Sequence, residues 1–271
     1  MTDRSTAPTP IRADTALMDG ARPLLSPRDA IATLSLSRDE LDERGVVGFN
    51  SRDSRSRPFH LLRTQVTRLM ARNGWRVIGV TSATPGAGKT FTSVNLAASL
   101  APTAEGTVVL CDLDLRRGSI AEMLRIRSQP GLNDYLEGNV DEPSDTAFRI
   151  NDSHLVVLPT TPSAASSSEL LATPRFRTLV ARLRAMPENT RIICDLPPAF
   201  ASDDAMLSMQ QLDAYLMVVD HGMTTAGQIE ETVRLLDPVP CLGTILNRYK
   251  GGFADPYGYG YGDPYGMKSY E

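Results

Sequence analysis

Lys89 and Thr90 follow a turn that contains two glycines, in the run TSATPGAGKT. Gly86 and Gly88 let backbone N–H groups approach a polyanion closely, because glycine has no side chain in the way. A lysine ammonium at this place reaches terminal phosphates, and a threonine hydroxyl is a ligand for Mg²⁺. The spacing therefore predicts a phosphate-binding loop, with one departure: Ala83 stands where the strict pattern has glycine.

The residues on both sides of this loop predict the elements that position it. Val77, Ile78 and Val80 form an apolar, β-branched run before the loop, and a helix-compatible segment, SVNLAASLA, follows it. A helix N-terminus adds partial positive charge to the backbone N–H groups of the loop. The alternative is a chance glycine turn before a helix. The predicted nucleotide-binding residues of the loop are Pro85, Gly86, Ala87, Gly88, Lys89, Thr90 and Phe91.

Short apolar runs alternate with helical patterns from Trp75 onward. The strand-like runs lie at 76–82, 107–112, 154–159, 191–195, 214–220 and 241–247. The helical patterns lie at 90–101, 117–124, 132–138, 168–186, 202–211 and 225–236, and Pro174 divides the fourth of these. Because the strands are apolar throughout, both of their faces should be buried, which predicts an α/β fold with a doubly wound, mainly parallel sheet. Ligands bind such sheets beyond the carboxyl ends of the strands.

Acidic side chains follow two of these strands. Asp112 and Asp114 alternate along an extended segment, so they point to one side, where two carboxylates repel unless a cation lies between them. Mg²⁺ bound to nucleotide phosphates is such a cation, since it takes one or two carboxylates together with phosphate oxygens. Asp195, in ICDLPP, is predicted to hold Mg²⁺ directly or through water. The alternatives are solvated loop acids for the pair and a turn cap for Asp195.

Asn247 ends the last strand-like run, in the sequence LNR. It is predicted to lie near the base of a nucleotide, and a plain strand-end turn is an equal alternative.

Composition excludes several classes of function. A net charge of −4 argues against a nucleic-acid footprint over the whole chain. No apolar run approaches the roughly 18 residues of a membrane span, and the N-terminus lacks the apolar core of a secretory signal, so neither is expected. The three cysteines have no C-x-x-C spacing and are expected to be free thiols rather than metal ligands.

The chain is predicted to have three regions. Residues 1–50 are expected to be largely disordered with a short helix at 37–44, residues 51–250 to form the nucleotide-binding domain, and residues 251–271 to form a flexible tail. A helix at 59–72 is expected either to pack on the domain edge or to form contacts between protomers.

The tail is unusual because five of the eight tyrosines lie in the last fifteen residues, interleaved with glycine. Such a segment cannot bury its rings on a regular element, and ordinary disordered segments are poor in aromatic residues. A flexible chain of ~10–23 residues spans roughly 17–28 Å, which reaches the phosphate loop of its own or a neighbouring subunit. The alternative is a sticky low-complexity tail. The five residues are Tyr257, Tyr259, Tyr261, Tyr265 and Tyr270.

Together these motifs resemble those of the bacterial tyrosine kinases of capsule and exopolysaccharide export, the BY-kinases. The match lies in TSATPGAGKT (Walker A), VVLCDLDLRR (the A′ motif), RIICDLPP (Walker B) and the tyrosine-rich tail. The resemblance implies a P-loop NTPase fold of the MinD/ParA-like type. It also implies an enzyme that uses ATP and Mg²⁺ to phosphorylate its own tail tyrosines, usually between subunits.

The resemblance also implies roles for the site residues. The catalytic residues it implies are Lys89, Asp112, Asp114 and Asp195, and the metal ligands are Thr90, Asp114 and Asp195. Lys89 would stabilise the transferred phosphoryl group. Asp112 would orient the tyrosine hydroxyl or accept its proton, since a phenol with a pKa near ~10 is a poor nucleophile at neutral pH. Arg116 or Arg117 would stabilise developing charge, and the sequence does not choose between them.

The family further implies several partners. These are a membrane-spanning polysaccharide co-polymerase that activates the kinase, other copies of the chain, and a cognate tyrosine phosphatase, with no nucleic acid. The expected location is cytoplasmic, at the inner face of the plasma membrane through that partner, and the expected role is control of polysaccharide polymerisation and export.

One position separates the chain from a related family, and one departure from the kinase pattern keeps alternatives open. Thr84 stands where the ParA/MinD partitioning ATPases carry a signature lysine, which favours a kinase. The acid-x-x-Arg-x-x-Arg pattern used for ring assembly reads Arg57, His60, Arg63 here. The altered pattern motivates a second hypothesis, an ATP-binding regulator of export that transfers no phosphate. A partitioning ATPase is the third.

Overall fold

The computed structural model describes residues 20–26, 31–126, 130–161 and 166–249, which form an eight-stranded sheet covered by helices on both faces. The strand order is β1-β4-β5-β3-β6-β2-β7-β8, and every neighbouring pair is parallel except β4 and β5. The strands are β1 (Ala32–Leu34), β2 (Val77–Ser82), β3 (Val108–Asp112), β4 (Phe148–Ile150), β5 (Leu155–Leu158), β6 (Arg191–Asp195), β7 (Ala214–Asp220) and β8 (Cys241–Asn247).

The α-helices follow the strands in the alternating order that a doubly wound sheet requires. They are α1 (Arg38–Glu43), α2 (Arg57–Asn73), α3 (Lys89–Leu100), α4 (Ser119–Met123), α5 (Leu132–Glu137), α6 (Ser167–Ala172), α7 (Pro174–Arg184), α8 (Asp204–Met209) and α9 (Ala226–Leu235). The predicted doubly wound, mainly parallel sheet is confirmed. So is the division of one helical pattern at Pro174, which begins α7.

The central strands are buried on both faces, as their continuous apolar character predicts. In β3, Leu110 packs into the core on one face, and Val109 and Cys111 pack into the core on the other. All three side chains are fully buried. Each of the six predicted strands is present. β1 and β4 were missed because each has only three residues and shows no alternation that sequence alone would detect.

Residues 31–50 belong to the folded domain, which corrects the prediction of a largely disordered segment over 1–50. Val46 and Val47 are buried, and the N–H groups of Val47 and Gly48 both donate to Oδ1 of Asn95 on α3. The predicted short helix is present as α1, with a capping box between Ser37 and Glu40. The apolar residues of 31–50, such as Val46 and Val47, are separated by polar residues without a clear period. The sequence pattern therefore did not predict that they are buried.

Helix α2 packs against α3, and its residues Val66 and Met70 join the core on one face of the sheet. Phe59, Val66 and Met70 are buried, and the ring of Phe59 lies edge-on to that of Phe91 with centroids 5.6 Å apart. Within the described ranges, no helix has the length and apolar character that a membrane crossing requires.

Candidate active site

The loop between β2 and α3 has the backbone conformation that its glycines predict. Gly86 and Gly88 have φ values of 82° and 93°, in the left-handed region that side chains disfavour. Ala83 is not among the described residues with positive φ, which explains why alanine is accepted where the strict pattern has glycine. Pro85 and Gly86 are exposed at the tip of the loop.

Asn247 holds the loop from the end of β8. Its Nδ2 donates to the carbonyl oxygen of Ala87 at 2.7 Å, and a Cβ at Gly88 would lie 2.1 Å from the same nitrogen. A side chain at Gly88 would therefore displace the Asn247 amide as well as strain the backbone. The structure places Asn247 beside the nucleotide loop, while its predicted contact with a base stays a prediction.

Lys89 is the first residue of α3 and points towards the acids that follow β3 and β6. Its Nζ donates to Oδ2 of Asp114 at 2.7 Å, and the two side chains are only 9% and 3% exposed. Burial alone would lower the pKa of Lys89, but the negative charges of Asp195 and Asp114 outweigh it and raise the pKa above its ordinary value. The cation beside the acids of the A′ motif is thus the ammonium of the chain's own lysine.

Asp195 receives hydrogen bonds from two hydroxyl groups of α3. Thr90 Oγ1 donates to Oδ2 at 2.6 Å, and Ser93 Oγ donates to Oδ1 at 2.9 Å. Burial raises the pKa of Asp195, and the charge of Lys89 and the bond from Thr90 offset only part of that rise. Sequence reasoning missed Ser93. Its signal was its place four residues after Lys89, which puts both side chains on one face of the helix.

Asp112 is the acid that ends β3. Its carboxylate accepts the backbone N–H groups of Asp114 and Ile120, each at 3.1 Å, and the side chain is fully buried. Burial, together with the charge of Asp195, raises the pKa of Asp112 well above its ordinary range. Asp112 and Asp195 are register partners on β3 and β6, so strand pairing fixes their proximity.

The two arginines of the A′ motif have different surroundings. The Nε of Arg116 donates to Ser167 Oγ at 2.8 Å and lies 3.1 Å from Oδ2 of the buried Asp204. Arg117 is exposed and lines the same cavity as Lys89. The sequence could not distinguish Arg116 from Arg117. In the structure, Arg116 contacts Ser167 and Asp204, whereas Arg117 lines the cavity. Ser167 and Asp204 were not predicted as partners of the motif.

A cavity of about 450 Å³ opens at the phosphate loop, between α1, α3 and α4. Lys89, Thr90 and Phe91 form its floor, and Phe91 keeps 39% of its surface exposed there. The three acids lie behind Lys89 and do not line the cavity. Its lining residues are Glu43, Arg44, Gly86, Gly88, Lys89, Thr90, Phe91, Arg117, Ser119, Glu122, Met123 and Arg125.

The donor set beside the loop suits Mg²⁺ held together with a nucleotide. Among the described residues, no group of three or more His, Cys, Asp or Glu side chains is arranged to hold a metal alone. Mg²⁺ usually takes one or two protein oxygens and completes its shell with phosphate oxygens and water. The Thr90 hydroxyl and the Asp195 carboxylate meet at one point, and both are oxygen donors of the kind that Mg²⁺ takes. The five tail tyrosines lie outside the described residues.

Residues 78–256 match the model of the CobQ/CobB/MinD/ParA nucleotide binding domain. The chain belongs to this family of nucleotide-binding domains, in the branch of the bacterial tyrosine kinases. The putative tyrosine-protein kinase EpsB of Ralstonia nicotianae is 33% identical over 210 residues, which are 73% of this chain and 27% of that protein.

Solved kinase domains have the same fold. The kinase domain of VpsO is 30% identical, with a TM-score of 0.65 over 79% of this chain and 100% of that one. The kinase domain of the Escherichia coli tyrosine kinase ETK is 27% identical, with a TM-score of 0.67 over 85% and 93% of the two chains. The resemblance predicted from the motifs is confirmed. The chain spans between 27% and 32% of the length of the curated relatives it matches.

Proposed function

We propose that this chain is an ATP-dependent protein-tyrosine autokinase that phosphorylates its C-terminal tyrosines. The observation that carries the proposal is the convergence of three motifs on one place. Lys89 joins the phosphate loop to Asp114, and Thr90 joins it to Asp195. This arrangement stands in a chain that matches the solved kinase domain of VpsO over the whole of that domain.

The transfer step follows from the proposed roles. The hydroxyl oxygen of a tail tyrosine attacks the γ-phosphorus of ATP, the bond from that phosphorus to the β–γ bridging oxygen breaks, and ADP leaves. The hydroxyl proton would pass to Asp112, which is fully buried in the nucleotide-free protein, so this role requires that the nucleotide draw Lys89 aside and open the acids to the substrate. Lys89 and the N–H groups of the loop stabilise the charge on the transferred group.

Thr90 and Asp195 would hold Mg²⁺. Asp114 would become available as a further acid for the ion once the nucleotide has drawn Lys89 away from it towards the phosphates. The ion would neutralise charge on the β- and γ-phosphates. Arg117, which lines the cavity, is the arginine proposed to stabilise developing charge. Arg116, held by Ser167 and Asp204, is proposed to keep the loop after β3 in place.

The proposed setting is the control of capsule or exopolysaccharide polymerisation and export. A membrane-spanning co-polymerase would activate the chain at the inner face of the plasma membrane, phosphorylation would pass between copies of the chain, and a tyrosine phosphatase would reverse it. This part of the proposal rests on the kinase relatives and on the expectations drawn from the sequence.

The proposal is tested by incubating the purified chain with Mg-ATP and detecting phosphotyrosine. Lys89→Met should abolish the signal. Changing all five tail tyrosines to Phe should abolish it as well and leave ATP binding intact. Full phosphorylation of the five-Phe variant would contradict the choice of the tail as substrate.

A second candidate, an ATP-binding regulator that transfers no phosphate, is favoured by the altered assembly pattern on α2. His60 Nε2 lies 3.3 Å from the carbonyl oxygen of Gly48, and Arg63 donates to the carbonyl oxygen of Ser99 at 2.9 Å. Both side chains therefore have partners within their own subunit. ATP binding without phosphotyrosine would select this candidate.

A further inference from the structure

The tail contains the sequence Asp-Pro-Tyr-Gly twice, at 255–258 and at 263–266. Tyr257 and Tyr265 are therefore each preceded, two residues earlier, by an aspartate. The corresponding residue is a tyrosine for Tyr259 and Tyr261, and it is Lys268 for Tyr270. The five tyrosines thus differ in the charge they present beside the acceptor hydroxyl.

The cavity at the phosphate loop carries basic side chains beyond the phosphate-binding residues. Four basic and two acidic side chains line it. The Arg44 guanidinium is already engaged, because it donates to the carbonyl oxygen of Leu124 and lies 3.3 Å from Glu40. Arg117 and Arg125 are exposed, and within the described residues neither forms a salt bridge.

The side chain of Arg125 is exposed and interacts electrostatically with Glu40, without a salt bridge among the described residues. Arg125 follows α4 with a φ of 51°, in the left-handed region where glycine is the usual residue after a helix. An arginine there costs backbone energy that glycine would not. Its exposed guanidinium lines the same cavity as Lys89, so a peptide whose tyrosine approaches the loop would pass it.

We propose that Arg125 binds the aspartate two residues before the acceptor tyrosine, so that Tyr257 and Tyr265 are phosphorylated in preference to the other tail tyrosines. The inference rests on the proposed kinase function and adds its substrate selectivity. The occupant is the tail of this chain, from the same or a second copy. The last described residues lie near the loop, since Asn247 is bonded to Ala87 and the described chain ends two residues later.

A flexible chain with the length of the tail would extend well beyond residue 249. From residue 249, Tyr257 is eight residues away and Tyr265 sixteen, which corresponds to roughly 14–17 Å and 20–24 Å for a flexible chain. The main competing explanation is that Arg125 binds the phosphates of the nucleotide. In that case all tyrosines would be affected equally.

The test is site-resolved mass spectrometry of tail phosphopeptides from the full chain after short incubation with saturating Mg-ATP. The measured quantity is phosphate on Tyr257 and Tyr265 relative to Tyr259 and Tyr261. Arg125→Gln should lower this ratio about three- to fivefold, as expected for an exposed ion pair. Asp255→Asn with Asp263→Asn should lower it equally, and combining these changes with Arg125→Gln should add nothing.

Three controls make the result decisive. Arg72→Gln, at an exposed arginine on α2 outside the cavity, should leave the ratio unchanged. Arg125→Gly should lower the ratio without lowering the melting temperature, which excludes misfolding. Arg125→Glu combined with Asp255→Arg and Asp263→Arg should restore the ratio.

An unchanged ratio in Arg125→Gln would overturn the inference and leave the kinase proposal standing. So would a uniform loss at all tyrosines together with a higher KM for ATP, which would assign Arg125 to the nucleotide. Absence of phosphotyrosine from the unmodified chain would instead overturn the kinase proposal itself, and the inference with it.

Discussion

The ammonium of Lys89 and the carboxylate of Asp114 form a 2.7 Å ion pair that is almost completely shielded from water. The pair links the first residue of α3 to the loop after β3. Asp195 and Asp112 lie close enough for their charges to act on the same lysine. A nucleotide would therefore meet a lysine that is already neutralised, and its phosphates would compete with Asp114 for the ammonium.

Asp114→Asn should destabilise the nucleotide-free protein by roughly 1–3 kcal/mol. Breaking a buried pair typically costs about 3–5 kcal/mol, and the remaining charges of Asp195 and Asp112 reduce the loss here. Because the competitor for Lys89 is gone, binding of ATP without Mg²⁺ should not weaken. Denaturant unfolding and calorimetric titration measure the two effects. Unchanged stability would show that the ion pair does not persist in solution.

The nucleotide-free protein should lose stability through Asp195 as the pH rises. The folded pKa of Asp195 lies above its ordinary value of 3.8, so its contribution is fully present below about pH 3.8 and is lost as the pH rises through the folded pKa. Asp195→Asn should flatten this dependence, because the hydroxyls of Thr90 and Ser93 can reorient towards an amide. At neutral pH its melting temperature should rise by about 2–4 °C for each kcal/mol relieved.

Thermal melts between about pH 5 and 8 test this prediction. The same variant should lose the stabilisation that Mg-ATP gives the unmodified protein, if Asp195 serves the metal. Asp152→Asn, at an exposed site, is the control that should leave the profile unchanged. If the melting temperature of Asp195→Asn changed with pH in parallel with that of the unmodified chain, the prediction would be wrong. Ionisation of Asp195 would then not destabilise the folded protein.

Gly88→Ala should be more damaging than Gly86→Ala, although both glycines have positive φ. A Cβ at Gly86 meets nothing within 4 Å, so its cost is backbone strain of about 1–2 kcal/mol. A Cβ at Gly88 would collide with Asn247 as well. Asn247→Ala removes the obstacle, so the double variant should be less destabilised than the sum of the two single changes. Additive losses in denaturant unfolding would refute this coupling.

Arg63→Ala should lower the free energy of unfolding by about 1–2 kcal/mol, because the guanidinium donates to the carbonyl oxygen of Ser99 near the C-terminal end of α3. Its oligomeric state should match that of Arg68→Ala, the control at an exposed arginine of the same helix. Unfolding and light scattering measure the two properties. A change of oligomer without a loss of stability would assign Arg63 to contacts between protomers.

The sequence predicts the parts of the fold and of the site that depend on short local patterns. The loop glycines, Lys89, Thr90 and the strand-end acids follow from the strand–loop–helix order and the apolar runs. The spacing of Ser93 from Lys89 indicates only a shared helix face. The bond from Ser93 to Asp195 and the bond from Asn247 to Ala87 depend on how distant segments pack, which no local pattern records. The different surroundings of Arg116 and Arg117 depend on Ser167 and Asp204, which lie far along the chain.

Residues 31–50 are a second case in which contacts between distant segments could not be predicted from the sequence. Residues 31–50 lack a clear period and contain many polar side chains, so composition alone indicates disorder. Their order depends on Asn95, whose side chain satisfies the N–H groups of Val47 and Gly48 from inside α3. Such a tertiary contact cannot be inferred from either segment alone.

Intact-mass measurement of the full chain after incubation with Mg-ATP tests the central claim most directly, because each transferred phosphoryl group adds one fixed increment. The account predicts additions of up to five groups, lost in Lys89→Met and in the variant with all five tail tyrosines changed to Phe. An unchanged mass in a chain that binds ATP, or full additions to the five-Phe variant, would contradict it.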